Sequence, residues 1–156
     1  MKLLPEFIRP NWRILILGFI GLCAVYVLKH QLNVWAWLHG EHRAFYDTTE
    51  NLTSFAPGEV ILNKSVRYLL NDLFSIMIIH GIFQNQRYTK FAFGLLLFGM
   101  LVLLPIYFLL VYFAPDGYTS MVANVHRIVL NPVLMMLLIP YLYHMERQKS
   151  EKKGVS

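Results

Sequence analysis

Four long apolar blocks, separated by short polar segments, organise the chain. A bilayer core takes about 20 apolar residues per helix, and each block is read against that length. The first runs from Ile14 to about Trp37. Its uninterrupted part ends at Leu28, and Lys29, His30 and Gln31 follow before Trp35 and Trp37. A lysine can lay its stem on apolar surface and keep its ammonium in water, so this helix is expected to continue to the tryptophan pair. The second block, Val66 to Phe83, carries Arg67, Asn71, Asp72 and His80. The third, Phe91 to Phe113, has no charge, and Pro105 inside it removes one backbone hydrogen bond. A bend is therefore expected between Leu101 and Pro105. The fourth, Val125 to Tyr143, opens on His126 and Arg127 and holds Pro132 and Pro140. Membrane helices tolerate such prolines when neighbours or waters satisfy the freed carbonyls.

The pattern predicts an all-α fold: an integral membrane bundle of four transmembrane helices in one domain, residues 1–156. The helices are expected at about 14–37, 66–83, 91–113 and 125–143, with an external loop at 39–65 and a cytoplasmic tail at 146–156. Pro57-Gly58 reads as a turn within that loop, and the tail as charged and disordered at its end. Composition agrees: 56% of residues are hydrophobic, and the mean hydropathy is +0.47. The net charge of +5 sits in the connectors, a distribution that suits a membrane surface and not a nucleic-acid groove. Lys2, Arg9 and Arg13, then Arg87 and Lys90, then Arg147, Lys149, Lys152 and Lys153 fall on one side of a four-helix topology. The other side holds Arg43 and Lys64 among more numerous acids. Excess Lys and Arg mark the cytoplasmic face, so both termini are expected inside.

This topology brings polar residues to one level in the outer leaflet. Arg67, Asn71 and Asp72 open the second helix there, and His126, Arg127 and Asn131 open the fourth. Lys29 and His30, ending the first, are further contributors or simple headgroup anchors. Arg67, Asn71 and Ser75 recur every four residues and share a helix face. Asp72 is the one acid inside a spanning segment, and an unpaired carboxylate at a bilayer centre costs about 2.5–3.5 kcal/mol. Arg127 is the expected partner for depth, with Arg67 and Lys29 as alternatives.

Few other residues suggest chemistry. Cys23, the single cysteine, allows no internal disulfide and reads as a buried thiol. Leu22 before it does not suit a lipoprotein cleavage site, so the first block reads as a retained helix. His39 and His42, near Asp47, match no zinc-ligand spacing. No phosphate-cradling glycine loop or nucleophile elbow occurs. The residues therefore suggest no catalytic group, metal or cofactor.

Several phrases carry a family resemblance: Phe45-Tyr46-Asp47, then Arg67 to Asp72, then Phe83 to Phe91, His126-Arg127 with Asn131-Pro132, and Leu137 to Tyr143. In this order the chain resembles the small membrane proteins associated with exosortase F in Bacteroidetes, or the similar family that accompanies exosortase X. The resemblance covers roughly residues 45–143. It implies a bacterial inner-membrane protein that partners an exosortase-type sorting enzyme. It transfers no catalytic residue, and Cys23 lies outside the matching region. The expected function is thus a non-enzymatic accessory protein that binds the sorting enzyme or its substrate through the polar layer. The alternative is a small membrane enzyme or transporter with a site around Asp72, His126 and Arg127, which needs a pocket between helices one, two and four.

Overall fold

The computed structural model describes residues 10–45, 55–113 and 119–154, and these are helical with no strand among them. α1 spans Trp12–Val27 and α2 Val34–Leu38. α3 spans Pro57–Phe83. α4, Gln86–Phe98, runs through a π-helical turn at Gly99–Leu103 into α5, Leu104–Phe113. α6 spans Thr119–Leu130 and α7 Val133–Gly154. Two helices are long and apolar enough to cross a membrane: Pro57–Phe83, and the continuous Gln86–Phe113. Trp12–Val27 is apolar but shorter, at 16 residues.

Several expected boundaries are corrected. The first block is one helix only to Val27, and residues 28–33 turn before α2. Asn33 caps α2 by accepting from the Ala36 amide at 3.0 Å, which fixes the break where continuity was expected. The second helix begins at Pro57, not Val66. Pro57 is no loop turn: proline suits the first helical position, where its missing N–H has no intrahelical partner anyway. Glu59 in that first turn complements the helix dipole. The expected external loop 39–65 therefore loses its last nine positions, 57–65, to α3. The third helix starts at Gln86, capped by Asn85 accepting from the Arg87 amide at 2.9 Å. The fourth block splits at Asn131-Pro132, and α7 continues into the expected tail as far as Gly154, the last two residues of that tail lying outside the described residues.

α3 is the axis on which the other helices pack. α1 runs antiparallel to it, pairing Leu15 with Gly81, Gly18 with Ile78 and Gly21 with Phe74. A Cβ at Gly18 would stand 2.9 Å from the Phe74 carbonyl oxygen, and one at Gly81 2.9 Å from the Leu15 nitrogen. Those backbones meet because glycine leaves the space. The Asn11 amide closes the seam by donating to the Gly81 carbonyl at 2.7 Å. On another side of α3, Ile76 and Ile79 pack with Tyr88, Ala92 and Leu96 of α4 and Met135, Leu138 and Leu142 of α7. A second cluster joins Tyr68, Leu104, Tyr107 and Val129.

The ladder changes from α to π just before Pro105. The Leu104 amide bonds the Gly99 carbonyl, five residues back. A proline ring would press on the carbonyl four residues earlier, here Leu101, and the wider turn relieves that crowding.

The close seam yields the first prediction. Gly18→Val forces a side chain against backbone and should destabilise the protein by about 1–3 kcal/mol. Gly94→Ala, where an added Cβ meets nothing within 4 Å, should cost nothing measurable. Thermal unfolding in a mild detergent compares the two, and equal effects would mean that α1 does not lie on α3 this closely.

Candidate functional site

The six residues of the expected polar layer divide among four environments. Asp72 is buried, and its hydrogen-bond partner is Tyr68, one turn earlier on α3. The Tyr68 hydroxyl also donates to the Leu96 carbonyl at 3.3 Å. It reaches that carbonyl over Gly99, where any Cβ would lie 1.9 Å from the hydroxyl oxygen. Asp72 is thus held by a tyrosine wedged against the π turn. His126 instead pairs with Tyr107, whose hydroxyl lies 2.9 Å from Nδ1. Arg127 is exposed and makes no ion pair among the described residues. The expected Asp72–Arg127 pair is not formed, because Tyr68 is on the same helix face as Asp72 and supplies the partner locally.

Arg67, Asn71 and Asn131 do come together. They line a cleft of about 310 Å³ between α1, α3 and the α6–α7 break. Phe19, Leu22 and Cys23 form its α1 wall, and Pro132 and Met136 close the side opposite. Cys23 is exposed, which corrects the expectation of a buried thiol. Pro132 has no amide to continue a helix from α6, and the interruption places the Asn131 side chain at the cleft. Apolar walls with a few convergent polar groups are the usual make-up of a ligand site, and this volume is near the lower end of the usual range. Lys29 and His30 stay outside the cleft. The Lys29 ammonium lies 5.2 Å from the Tyr26 ring centre, and the His30 ring approaches the Phe45 carbonyl at 3.4 Å.

A second polar region was missed from the sequence. Asn33, Glu59, Asn63 and Lys64 are almost wholly buried where α2 and residues 41–45 cover the start of α3. Asn33 uses its whole amide. Oδ1 accepts from Ala36 and from Asn63 Nδ2 at 2.8 Å. Nδ2 donates to Glu59 at 3.1 Å and to the Arg43 carbonyl at 3.2 Å. Asn63 accepts in turn from the Trp35 amide. Arg43 bonds Glu59 at 2.9 Å and Glu41 at 2.7 Å, and the Glu41 hydrogen bond chiefly raises its pKa. Lys64 stands 6.0 Å over the Phe45 ring. A network this fully bonded reads as a structural clasp. Its signal was the spacing of Glu59 with Asn63, and of Val60 with Lys64, each four apart after a helix-starting proline.

The opposite end of α3 has its own clasp. Tyr88 donates to Glu146, and the Lys149 ammonium donates to the Tyr88 hydroxyl at 2.8 Å. Hydrogen bonding to Tyr88 is the main cause that raises the Lys149 pKa. This contact ties the polar part of α7 to α4.

The placement of Asp72 makes a double-variant test decisive. Tyr68→Phe and Asp72→Asn should be non-additive, with a coupling of about 0.5–3 kcal/mol, since each removes the same contact. Asp72→Asn and Arg127→Gln should add within about 0.5 kcal/mol. Unfolding free energies of the single and double variants in detergent check both statements. Coupling of Asp72 to Arg127 alone would contradict this geometry.

No family model matches the chain, and neither does a curated protein or a solved structure.

Proposed function

We propose that the chain is a multi-pass protein of the bacterial inner membrane, a non-enzymatic accessory subunit of an exosortase-type sorting system. In this reading α1, α3, α4–α5 and α6–α7 make four passes, and both termini are cytoplasmic. The distribution of side chains supports the membrane part. Large apolar groups face outward, among them Tyr26 at 71%, Leu101 at 72% and Phe113 at 78% exposed. Polar groups such as Glu59 and Lys64 are inside. Exposed apolar surface on this scale marks a lipid or protein contact. The Lys and Arg bias supports the orientation, and the ordered phrases from Phe45 to Tyr143 support the sorting association.

The observation behind the docking reading is Arg127. It is the eighth step along α6 from Thr119, about 12 Å in from that end at 1.5 Å per residue. It is exposed beside the exposed Ile128. A guanidinium at such a level is costly in lipid unless it is paired or reaches headgroups. An acidic group on a membrane-embedded partner would meet it. The enzyme or transporter reading has less support, since Asp72, His126 and Arg127 have separate environments and none of them lines the cleft.

Mild-detergent purification from the native host tests the proposal. The sorting enzyme should accompany the wild-type chain. Arg127→Gln should lower its recovery by about tenfold, equivalent to about 1.4 kcal/mol, at unchanged folded yield. Equal recovery would remove Arg127 from the interface, and absence of any sorting enzyme with wild type would overturn the accessory role.

A further inference from the structure

The cleft has a direction. The pairing of α1 with α3 runs from Leu15 and Gly81 through Gly21 and Phe74, and continuing it places Val27 level with Arg67. The polar end of the cleft is therefore at Arg67, toward the start of α3. Its α1 wall extends from Val27 down to Phe19, eight residues or about 12 Å deeper. Met136, five residues into the chain beyond Asn131, adds an apolar group opposite. Arg67 and Phe83 are sixteen residues apart, about 24 Å along α3. A hydrocarbon core is about 30 Å thick, so a bilayer whose inner edge is near Phe83 has its outer edge a few ångströms past Arg67. A side chain as long as arginine covers that remainder.

Charge gives the second argument. Arg67 is the ionic group of the cleft, Asn71 and Asn131 also line it, and among the described residues no carboxylate does. A guanidinium with two amides is a donor-rich set, suited to phosphate oxygens. An apolar channel leads away from it toward the bilayer centre. We infer that this cleft binds one anionic phospholipid of the outer leaflet, with its phosphate at Arg67 and an acyl chain along Phe19, Leu22 and Met136. The occupant's head and tail then match the polar and apolar ends of the site, in the orientation that the surrounding leaflet already imposes. The site is distinct from the Arg127 surface; it rests on the proposed membrane topology and not on the sorting association.

The test uses full-length protein, delipidated in a neutral detergent, and native mass spectrometry with added lipids. Phosphatidylglycerol should bind one per chain, at least tenfold tighter than phosphatidylcholine. Arg67→Gln should remove that preference, and Leu22→Trp should weaken both lipids by filling the channel. Arg87→Gln, which changes a cation in the first turn of α4, should leave the preference intact. If Arg67→Gln folds poorly, Arg67→Lys keeps the charge and should retain part of the preference. Undiminished preference in Arg67→Gln would overturn the proposal. So would loss of it only in Arg87→Gln, or full displacement of the lipid by millimolar inorganic phosphate, which would make the acyl channel irrelevant.

Discussion

Backbone approach at Gly18, Gly21 and Gly81 determines where the remaining parts of this protein stand. Between helices in lipid there is little hydrophobic drive, because the surrounding chains are as apolar as the side chains. Attraction then comes from van der Waals contact and hydrogen bonds, and both need short distances. Glycine on α1 facing Phe74 and Ile78, and glycine on α3 facing Leu15, give those distances. The Asn11 amide on the Gly81 carbonyl fixes the register at the end of the seam. On α1 the glycines stop at Gly21. The cleft's α1 wall, from Phe19 to Val27, overlaps the end of this seam and continues past it.

The polar groups follow from that frame. At the start of α3 the returning segment of residues 28–45 closes over Glu59, Asn63 and Lys64, and Asn33 is bonded through both atoms of its amide. Half a network there would leave stranded charge, which costs more than an apolar core. Asp72 is accommodated by a different device. The π turn at Gly99 opens enough space for the Tyr68 hydroxyl, and that hydroxyl stands between the carboxyl and the Leu96 carbonyl. Between these two closed regions, Arg67, Asn71 and Asn131 face an open cleft. The make-up of the third, a guanidinium and two amides on otherwise apolar walls, is what the ligand reading rests on.

Much of the helical pattern was legible in the hydrophobic blocks, because a run such as Phe91–Phe113 has few alternatives to helix. The failures were local and have chemical causes. Hydropathy passes over Glu59 and Lys64 as loop charges, since it cannot see that a covering segment will satisfy them. Pro57-Gly58 carries the same letters in a turn and at a helix start, and only the helical residues that follow separate them. The break after Val27 depends on Asn33, whose side chain serves as a cap and a network centre at once. Among the site residues, the level of the polar layer was readable but its pairing was not. Depth alone made Arg127 the natural partner of Asp72. A tyrosine four residues earlier on the same face was nearer, and its access depended on a glycine in another helix. The cleft was invisible for a similar reason: it needs the Asn131-Pro132 interruption to face Leu22 across space.

The account stands on α1 lying antiparallel on α3 in this register, and cysteine cross-linking in native membranes reads that directly. The Gly81 position faces Leu15 and the Gly18 position faces Ile78, so Leu15 and Ile78 lie within about one helical turn of each other along the seam. In a Cys23→Ser background that keeps the seam glycines, Leu15→Cys with Ile78→Cys should be joined by a short bifunctional thiol reagent, and Leu15→Cys with Gly94→Cys should not. Two alkylatable thiols that fail to join in the first pair, or equal cross-linking in both pairs, would contradict the seam and the cleft built on it.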